Sequence, residues 1–203
     1  MISLYSGTPG SGKSLHAADR IVWAIRMRRP VVCNFDVNPD VVGKDRYVRY
    51  FKYVENQDLK PGLLVDHSRQ YFDGRPVKED RILLVIDEAQ LLFNAREWDH
   101  SGRKEWISFF TQHRKYGFSI ILVAQFDRML DRQLRSLIEY EYVHRKVSNF
   151  GWRGLLLSAL LLSPRLFVSV KVWYPMKEKV GSDFFRFRRK YARLYDSYVD
   201  FNT

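Results

Sequence analysis

The stretch SLYSGTPGSGKSLHAADR, residues 3–20, decides the fold of this chain. A short apolar run leads into a loop with three glycines, and residues with helical apolar spacing follow the loop. The spacing G-x-x-x-x-G-K-S is formed by Gly7, Gly12, Lys13 and Ser14. Glycines let the main chain curl so that its N–H groups converge on phosphate oxygens, and the first turn of the next helix adds further N–H groups. We therefore predict a triphosphate-binding loop between a strand and a helix.

The expected ligands of this loop are ATP and Mg²⁺. Lys13 is predicted to reach the β- and γ-phosphates, and Ser14 to ligate the magnesium ion. The predicted nucleotide contacts span the loop and the helix start: Gly7, Thr8, Pro9, Gly10, Ser11, Gly12, Lys13, Ser14 and Leu15. His16 is expected to be an exposed helix residue near the nucleotide. The alternative, a glycine turn without a ligand, would not need the Gly-Lys-Ser sequence.

Two carboxylates end a second apolar run, ILLVIDE, at residues 82–88. The run is typical of a strand buried on both faces, and in a parallel sheet ligands lie beyond the carboxyl ends of the strands. Asp87 is predicted to hold magnesium together with Ser14, and Glu88 to orient and partly deprotonate the attacking water. The alternative is a pair of solvated acids that open a loop.

The acid pair favours hydrolysis over transfer to a small molecule, because a kinase of small molecules needs no acid that activates water. The chain has no N-K-x-D motif of the kind that reads guanine, so ATP is the expected nucleotide. Gln125 ends a third apolar run, 118–125. Two roles stay open for it: contact with the γ-phosphate or lytic water, and simple capping of a strand.

Strand-like and helix-like segments alternate as far as residue 138, and strand-like segments dominate beyond it. This order predicts an α/β fold with a mostly parallel sheet flanked by helices and a β-rich C-terminal extension. We place the nucleotide-binding core at 1–138 and the extension of the same domain at 139–203. Within the core, 46–54 is predicted as a strand and 89–100 as a loop.

Composition indicates an anionic partner. The 203 residues carry a formal net charge of +11, which suits a nucleotide, a nucleic acid or an anionic membrane surface. Cys33 is the only cysteine, so an intrachain disulfide is excluded and a reducing compartment is expected. The N-terminus does not read as a signal peptide. The longest apolar run, 155–163, is too short to span a bilayer and is predicted to be buried or interfacial.

The segment FFRFRRKYARLY, residues 184–195, mixes five cations with aromatic side chains. Three interpretations stay open. The segment could lie against anionic lipid, it could bind DNA through phosphate contacts and stacking, or it could be a solvated face whose aromatic side chains pack inward.

With these residues in place, the chain resembles the zonula occludens toxin (Zot) family, which includes the filamentous-phage assembly ATPases. The likeness covers most of the chain and depends on YSGTPGSGKS at the start, LLVIDEAQ, RKEWISFFTQHRKYGFSIILVAQ and the tail motif LYDSY. The resemblance implies a P-loop NTPase of the RecA type, similar to the hexameric translocases FtsK and HerA. It implies a ring-forming homo-oligomer at the cytoplasmic face of the bacterial inner membrane, which uses ATP to assemble and extrude phage with coat or assembly proteins as partners.

The same resemblance suggests a role for Arg114, which stands three residues before Gly117 and ahead of the strand that ends in Gln125. It would act as an arginine finger on a neighbouring subunit's nucleotide. Arg128 and Arg132 compete for this role, and without the resemblance Arg114 is a solvated cation at a helix end. Family members are expected to continue into a membrane helix and a periplasmic part, so this chain is expected to be the cytoplasmic portion of a longer protein, with any toxin activity elsewhere. Two other functions stay open: a DNA-translocating or packaging ATPase, and a nucleotide-dependent scaffold with little turnover.

Overall fold

The computed structural model describes residues 1–95, 100–150 and 166–194. Its strands are Ile2–Ser6 (β1), Val31–Cys33 (β2), Phe51–Tyr53 (β3), Ile82–Ile86 (β4), Phe118–Val123 (β5), Tyr140–Lys146 (β6), Leu166–Trp173 (β7) and Glu178–Arg186 (β8). Its α-helices are Lys13–Arg26 (α1), Pro39–Val42 (α2), Lys44–Tyr50 (α3), Pro61–Phe72 (α4), His100–Gln112 (α5), Arg132–Arg135 (α6) and Arg189–Ala192 (α7). Short 3₁₀-helices cover Ala89–Leu91, His113–Tyr116, Asp127–Met129 and Val147–Phe150.

The described strands form one eight-stranded sheet in the order β3-β2-β4-β5-β1-β6-β7-β8. The pairs from β3 to β6 are all parallel, whereas β7 and β8 are added antiparallel. The predicted mostly parallel α/β sheet with a β-rich C-terminal part is therefore confirmed. The predicted boundary at residue 138 falls just before β6, which pairs with β1, so we propose 139–203 as a continuation of the same domain.

Both faces of the parallel sheet are covered, which explains why its strands are continuous apolar runs. In β4, Ile82, Leu84 and Ile86 face one core together with α4 and α5. Leu83 and Val85 face the other core, where α1 packs. Because successive side chains of a strand alternate between faces, five buried residues in a row serve two cores.

The prediction of a strand over 46–54 is wrong for most of its length. Helix α3 occupies Lys44–Tyr50, and only Phe51–Tyr53 is a strand. Aromatic side chains of this segment face α1: Tyr47 and Tyr50 are half-buried against that core. Strand preference depends on where a side chain packs, and here a helical path buries these rings.

Helix α5 ends at Gln112, a 3₁₀ turn continues to Tyr116, and Gly117 follows with φ 73°. The predicted loop over 89–100 opens with a 3₁₀ turn at Ala89–Leu91, and residues 96–99 lie outside the described ranges. The run 155–163 and residues 195–198 of the LYDSY motif also lie outside them. Of the helices that the structure describes, none has both the length and the apolar character needed to cross a membrane.

Candidate nucleotide-binding site

The glycine loop lies at the carboxyl end of β1 and leads into α1. The N–H of Gly7 donates to the carbonyl of Gln125 at 3.1 Å, which joins the loop to the end of β5. At Gly12, the residue before α1, φ is 97°, a region that residues with a Cβ rarely adopt. The first intrahelical bond runs from the N–H of His16 to the carbonyl of Gly12. The N–H groups of the preceding three residues therefore point out of the helix end and are available to an anion.

Lys13 places its ammonium inside this loop. The residue is only 8% exposed, and Nζ donates to the carbonyls of Gly7 at 2.8 Å and Thr8 at 3.3 Å. Burial lowers the pKa of Lys13 below its ordinary value, and the negative charges of Glu88 and Asp87 oppose that effect. The loop and the two acids thus lie on neighbouring strand ends, near enough for both carboxylates to act on this cation.

Asp87 follows β4 and is buried. One carboxylate oxygen, Oδ1, accepts the N–H of Glu88 at 2.8 Å. Glu88 has φ 45°, and its own Oε2 accepts a hydrogen bond from Gln90 Nε2. The chain thus leaves β4 through Glu88 in a left-handed conformation, and a 3₁₀ turn follows at Ala89–Leu91.

Gln125 lies between the glycine loop and the acids. It follows β5, and β5 is the strand between β1 and β4 in the sheet. Its carbonyl is held by Gly7, so the residue is fixed beside the loop. The structure therefore brings together three of the predicted groups: the loop with Lys13 and Ser14, the acid pair, and Gln125.

Arg114 lies at the opposite ends of the strands, where their amino ends meet. Its Nη2 contacts Glu139 Oε1 at 2.8 Å, and the N-terminal ammonium of Met1 lies 3.7 Å from the same carboxylate oxygen. Because Met1 and Glu139 precede β1 and β6, Arg114 is at the amino edge, away from the loop of its own chain. Its side chain is half exposed and open to another molecule.

Two buried groups around the loop were not predicted. Asn34, directly after β2, bonds the main chain of Asp87 at 2.7 and 2.8 Å. The signal for it was present, since Asn34 is a polar residue that ends an apolar run, just as Gln125 is. His144 on β6 contacts His16 at 2.8 Å between Nε2 and Nδ1. These residues are 128 positions apart, and nothing local in the sequence indicates their contact.

The expectation that His16 is an exposed helix residue is wrong. Its ring stacks on Tyr5 at 4.6 Å between centroids, and Phe185 lies 5.3 Å away. Burial, reinforced by the charge of Arg20, lowers its pKa to about 4. His16 is therefore a packed, neutral ring that ties α1 to β1, β6 and β8.

Comparison with known proteins identifies the family. The family model described as Zonular occludens toxin (Zot) matches residues 1–200. The Gene 1 protein of Enterobacteria phage fd is 27% identical over 143 residues, which are 68% of this chain and 40% of that protein. The chain thus spans well under half the length of this relative.

Solved structures agree on the fold. The N-terminal domain of zonular occludens toxin from Neisseria meningitidis superimposes with a TM-score of 0.58 at 19% identity, covering 96% of this chain and 98% of that domain. The genome-packaging NTPase B204 of Sulfolobus turreted icosahedral virus 2, solved with ATP-γS, gives a TM-score of 0.54 at 14% identity and covers 91% and 96%. The fold is that of a P-loop NTPase, and the chain belongs to the Zot family.

Proposed function

We propose that this chain binds Mg-ATP at the glycine loop and hydrolyses it. The observation that carries the proposal is the buried Lys13 ammonium, held by two loop carbonyls and within the electrostatic reach of Asp87 and Glu88. A buried cation at a helix N-terminus suits a phosphate chain. Hydroxyl and carboxylate oxygens, from Ser14 and Asp87, are ligands that Mg²⁺ prefers.

Each residue then has a chemical task. Lys13 and the N–H groups at the start of α1 would bind and orient the β- and γ-phosphates. Ser14 and Asp87 would hold magnesium, which when bound neutralises charge on the phosphates. Glu88 would accept a proton from the attacking water, and Gln125 would hold that water or the γ-phosphate in line.

The larger function we propose is the assembly and extrusion of filamentous phage at the cytoplasmic face of the inner membrane. The family membership and the likeness to the Gene 1 protein of phage fd support it. The chain would act as a homo-oligomeric ring with phage coat or assembly proteins as partners. The exposed Arg114 at the amino edge would then meet a neighbouring subunit's nucleotide, because it cannot reach the loop of its own chain.

Transport or packaging of DNA is the second candidate. The net charge of +11, the exposed cations Arg186, Arg188, Arg189 and Lys190, and the fold shared with a genome-packaging NTPase favour it. ATP turnover that DNA stimulates, and that falls steeply with added salt, would support this candidate. Stimulation by coat protein or anionic vesicles would support assembly instead.

The primary experiment measures Mg-ATP binding by calorimetry and ATP turnover as a function of protein concentration. Lys13→Ala is expected to abolish tight binding without unfolding the domain, whereas Lys44→Ala, at a largely exposed lysine, leaves binding unchanged. Glu88→Gln is expected to keep binding and to lower turnover by roughly 10²-fold or more, the contribution typical of a general base. Glu105→Gln, at an exposed acid on α5, is the matched control.

Retained affinity in Lys13→Ala would refute the phosphate role. Slow hydrolysis that Glu88→Gln leaves unchanged would indicate a nucleotide-dependent scaffold instead of an ATPase motor.

A further inference from the structure

The turn between β7 and β8, residues 174–177, folds back against the strands that carry the nucleotide site. The N–H of Tyr174 donates to the carbonyl of Glu139 at 3.0 Å, which ties the turn to the start of β6. The last residue of the turn, Lys177, has φ 56°. A residue with a Cβ keeps this left-handed conformation only where surrounding contacts hold it, so the side-chain contacts of Lys177 are expected to offset the strain.

The ammonium of Lys177 lies between two carboxylates from different segments of the chain. Its Nζ is 3.2 Å from Glu141 Oε2 and 3.4 Å from Asp127 Oδ2. The ammonium also lies 3.5 Å from the centroid of the Tyr174 ring, and the Tyr174 hydroxyl donates to Asp127 Oδ2 at 3.0 Å. The Lys177 side chain is 53% exposed, but the Glu141 side chain is only 11% exposed. An exposed ion pair contributes little, whereas a buried carboxylate depends on its partners.

Glu141 connects this cluster to the glycine loop. Its other oxygen, Oε1, accepts a hydrogen bond from the Ser6 hydroxyl at 2.6 Å. Ser6 is buried and directly precedes Gly7, whose carbonyl accepts from Lys13 Nζ at 2.8 Å. The Glu141 carboxylate therefore holds the residue from which the loop starts, and Lys177 holds the second oxygen of that carboxylate.

Asp127 connects the same cluster to Gln125, two residues earlier in the chain. The Gln125 carbonyl accepts the N–H of Gly7 at 3.1 Å, so the segment 125–127 also meets the start of the loop. One ammonium is thus linked to both sides of the hydrogen bond between Gly7 and Gln125. A shift of the turn would alter the spacing between the loop and Gln125, and a misplacement of about 1 Å at a reacting centre can cost about 10²-fold in rate.

We propose that Lys177 is a positioning residue of the nucleotide site, which holds the glycine loop and the segment 125–127 in register through Glu141 and Asp127. For the effect on turnover, the proposal rests on the proposed function. It gives the turn between β7 and β8, which lies beyond the predicted core at 1–138, a part in that site.

The test compares four single variants of the full chain. Lys177→Met removes the charge and keeps most of the side chain, Lys177→Gly removes the charge and relieves the strain at positive φ, and Lys177→Arg keeps the charge. Lys179→Met, at an exposed lysine of β8, is the matched control. Without nucleotide, hydrogen exchange at the Gly7 N–H should be about twofold faster or more in Lys177→Met and Lys177→Gly, the lower end of couplings within one salt-bridge network. Lys177→Arg and Lys179→Met should exchange like the wild type.

Turnover gives the second readout. Lys177→Met and Lys177→Gly should both lower kcat roughly tenfold, within the range of couplings that such networks carry. Mg-ADP, which lacks the γ-phosphate that Gln125 is proposed to face, should bind to both variants as it does to the wild type. A merely structural role would move the thermal unfolding midpoint and kcat together, so Lys177→Gly, the less strained variant, would then turn over ATP faster than Lys177→Met.

Exchange at Gly7 that stays at the wild-type rate in both Lys177→Met and Lys177→Gly would overturn the positioning role. Faster exchange with an unchanged kcat would overturn it too, since the loop would then loosen without consequence for the site. A loss in Lys177→Arg as large as in Lys177→Met would show that the charge is not the cause. If the wild type shows no turnover but exchange responds as expected, the proposed hydrolysis fails and the positioning of the loop by Lys177 stands.

Discussion

Asn34 bonds both main-chain polar groups of Asp87. Its Nδ2 donates to the Asp87 carbonyl at 2.8 Å, and its Oδ1 accepts the Asp87 N–H at 2.7 Å. Both residues are buried, and Nδ2 also donates to Asn56 Oδ1 at 2.9 Å. Asn34 follows β2, and β2 pairs with β4. The two hydrogen bonds to Asp87 therefore fix the point at which the chain leaves β4. Asn34 is a positioning residue for the acid.

Asn34→Ala should therefore destabilise the fold and displace Asp87. Each buried main-chain group left without a partner costs about 1–3 kcal/mol, so the free energy of unfolding should fall by at least that amount. Urea denaturation measures this loss. The magnesium concentration at half-maximal ATP binding should rise if Asp87 holds the metal as proposed. Asn38→Ala removes an exposed helix cap that accepts the N–H of Asp40, and it should cost about 1 kcal/mol without a change in magnesium dependence. An unchanged magnesium dependence in both variants would refute the positioning role.

Gly12→Ala should destabilise the protein more than Gly10→Ala. Both glycines have positive φ, so a Cβ is strained at either position by about 1–2 kcal/mol. At Gly12 the new Cβ would also lie 2.8 Å from the Phe167 ring, whereas at Gly10 it meets nothing within 4 Å. Overpacking adds about 1–3 kcal/mol at Gly12 only. Thermal unfolding of both variants checks the order.

The source of the extra cost at Gly12 can be separated by a double-mutant cycle with Phe167→Leu. The smaller side chain should relieve part of the overpacking, which gives a favourable coupling of about 0.5–3 kcal/mol. Strictly additive effects would mean that the Phe167 ring moves aside for the new Cβ. Backbone strain at positive φ would then account for the whole loss of stability in Gly12→Ala.

Arg114→Ala should change stability by less than about 1 kcal/mol, because its bond to Glu139 is a partly exposed surface pair. Under the proposed role in trans, the same change should lower turnover of the assembled protein by about 10³-fold or more. Glu139→Gln breaks the same ion pair, keeps Arg114, and should retain turnover. Mixing Arg114→Ala with Glu88→Gln subunits should restore part of the activity, since some interfaces then pair an intact arginine with an intact acid. Without recovery in assembled mixtures, the role would pass to Arg128 or Arg132.

The central part of the site was predictable because it follows from local pattern plus one rule of parallel sheets. The glycine spacing, the acid pair after an apolar run and Gln125 after another each mark a strand end, and carboxyl ends of parallel strands share an edge. In the structure the strand order β4-β5-β1 and the hydrogen bond from Gly7 to Gln125 place these three strand ends side by side at one edge. The chemical roles of these residues stay predictions.

What could not be predicted depends on contacts between distant segments. Tyr47 and Tyr50 have the residue types of a strand, yet the packing of α3 on α1 makes them helical. Arg114 lies at the amino ends of the strands, where it contacts Glu139, and Glu139 also lies near the Met1 ammonium. No residue spacing in the sequence indicates these contacts. The closeness of Gly12 to Phe167 needs β7 to lie beside β6, and Phe167 is 155 residues from Gly12 along the chain.

His144 should make the fold sensitive to acid. It is 1% exposed, its Nδ1–H donates to the Ser6 carbonyl at 3.2 Å, and its Nε2 accepts from His16 Nδ1 at 2.8 Å. Both ring nitrogens are thus engaged in the neutral form. Burial, the facing His16 and the charge of Lys13 lower the pKa of His144 to about 3.

The direction of the pH effect follows from that lowered pKa. An unfolded histidine titrates near pH 6.5, so between about pH 6.5 and pH 3 the unfolded state takes up a proton that the folded state does not. His144 therefore contributes a loss of stability of about 1.4 kcal/mol for each pH unit of acidification in this window, and nothing above it. His144→Gln should lower stability at pH 7, because a buried hydrogen-bonded ring is lost, but its urea midpoint should fall less steeply from pH 6.5 to pH 4.5. Carboxylates titrate alike in both proteins, so the difference between the two slopes reports the His144–His16 pair. Parallel curves for the variant and the wild type would show that the buried ring accepts its proton in the folded state as readily as in the unfolded one.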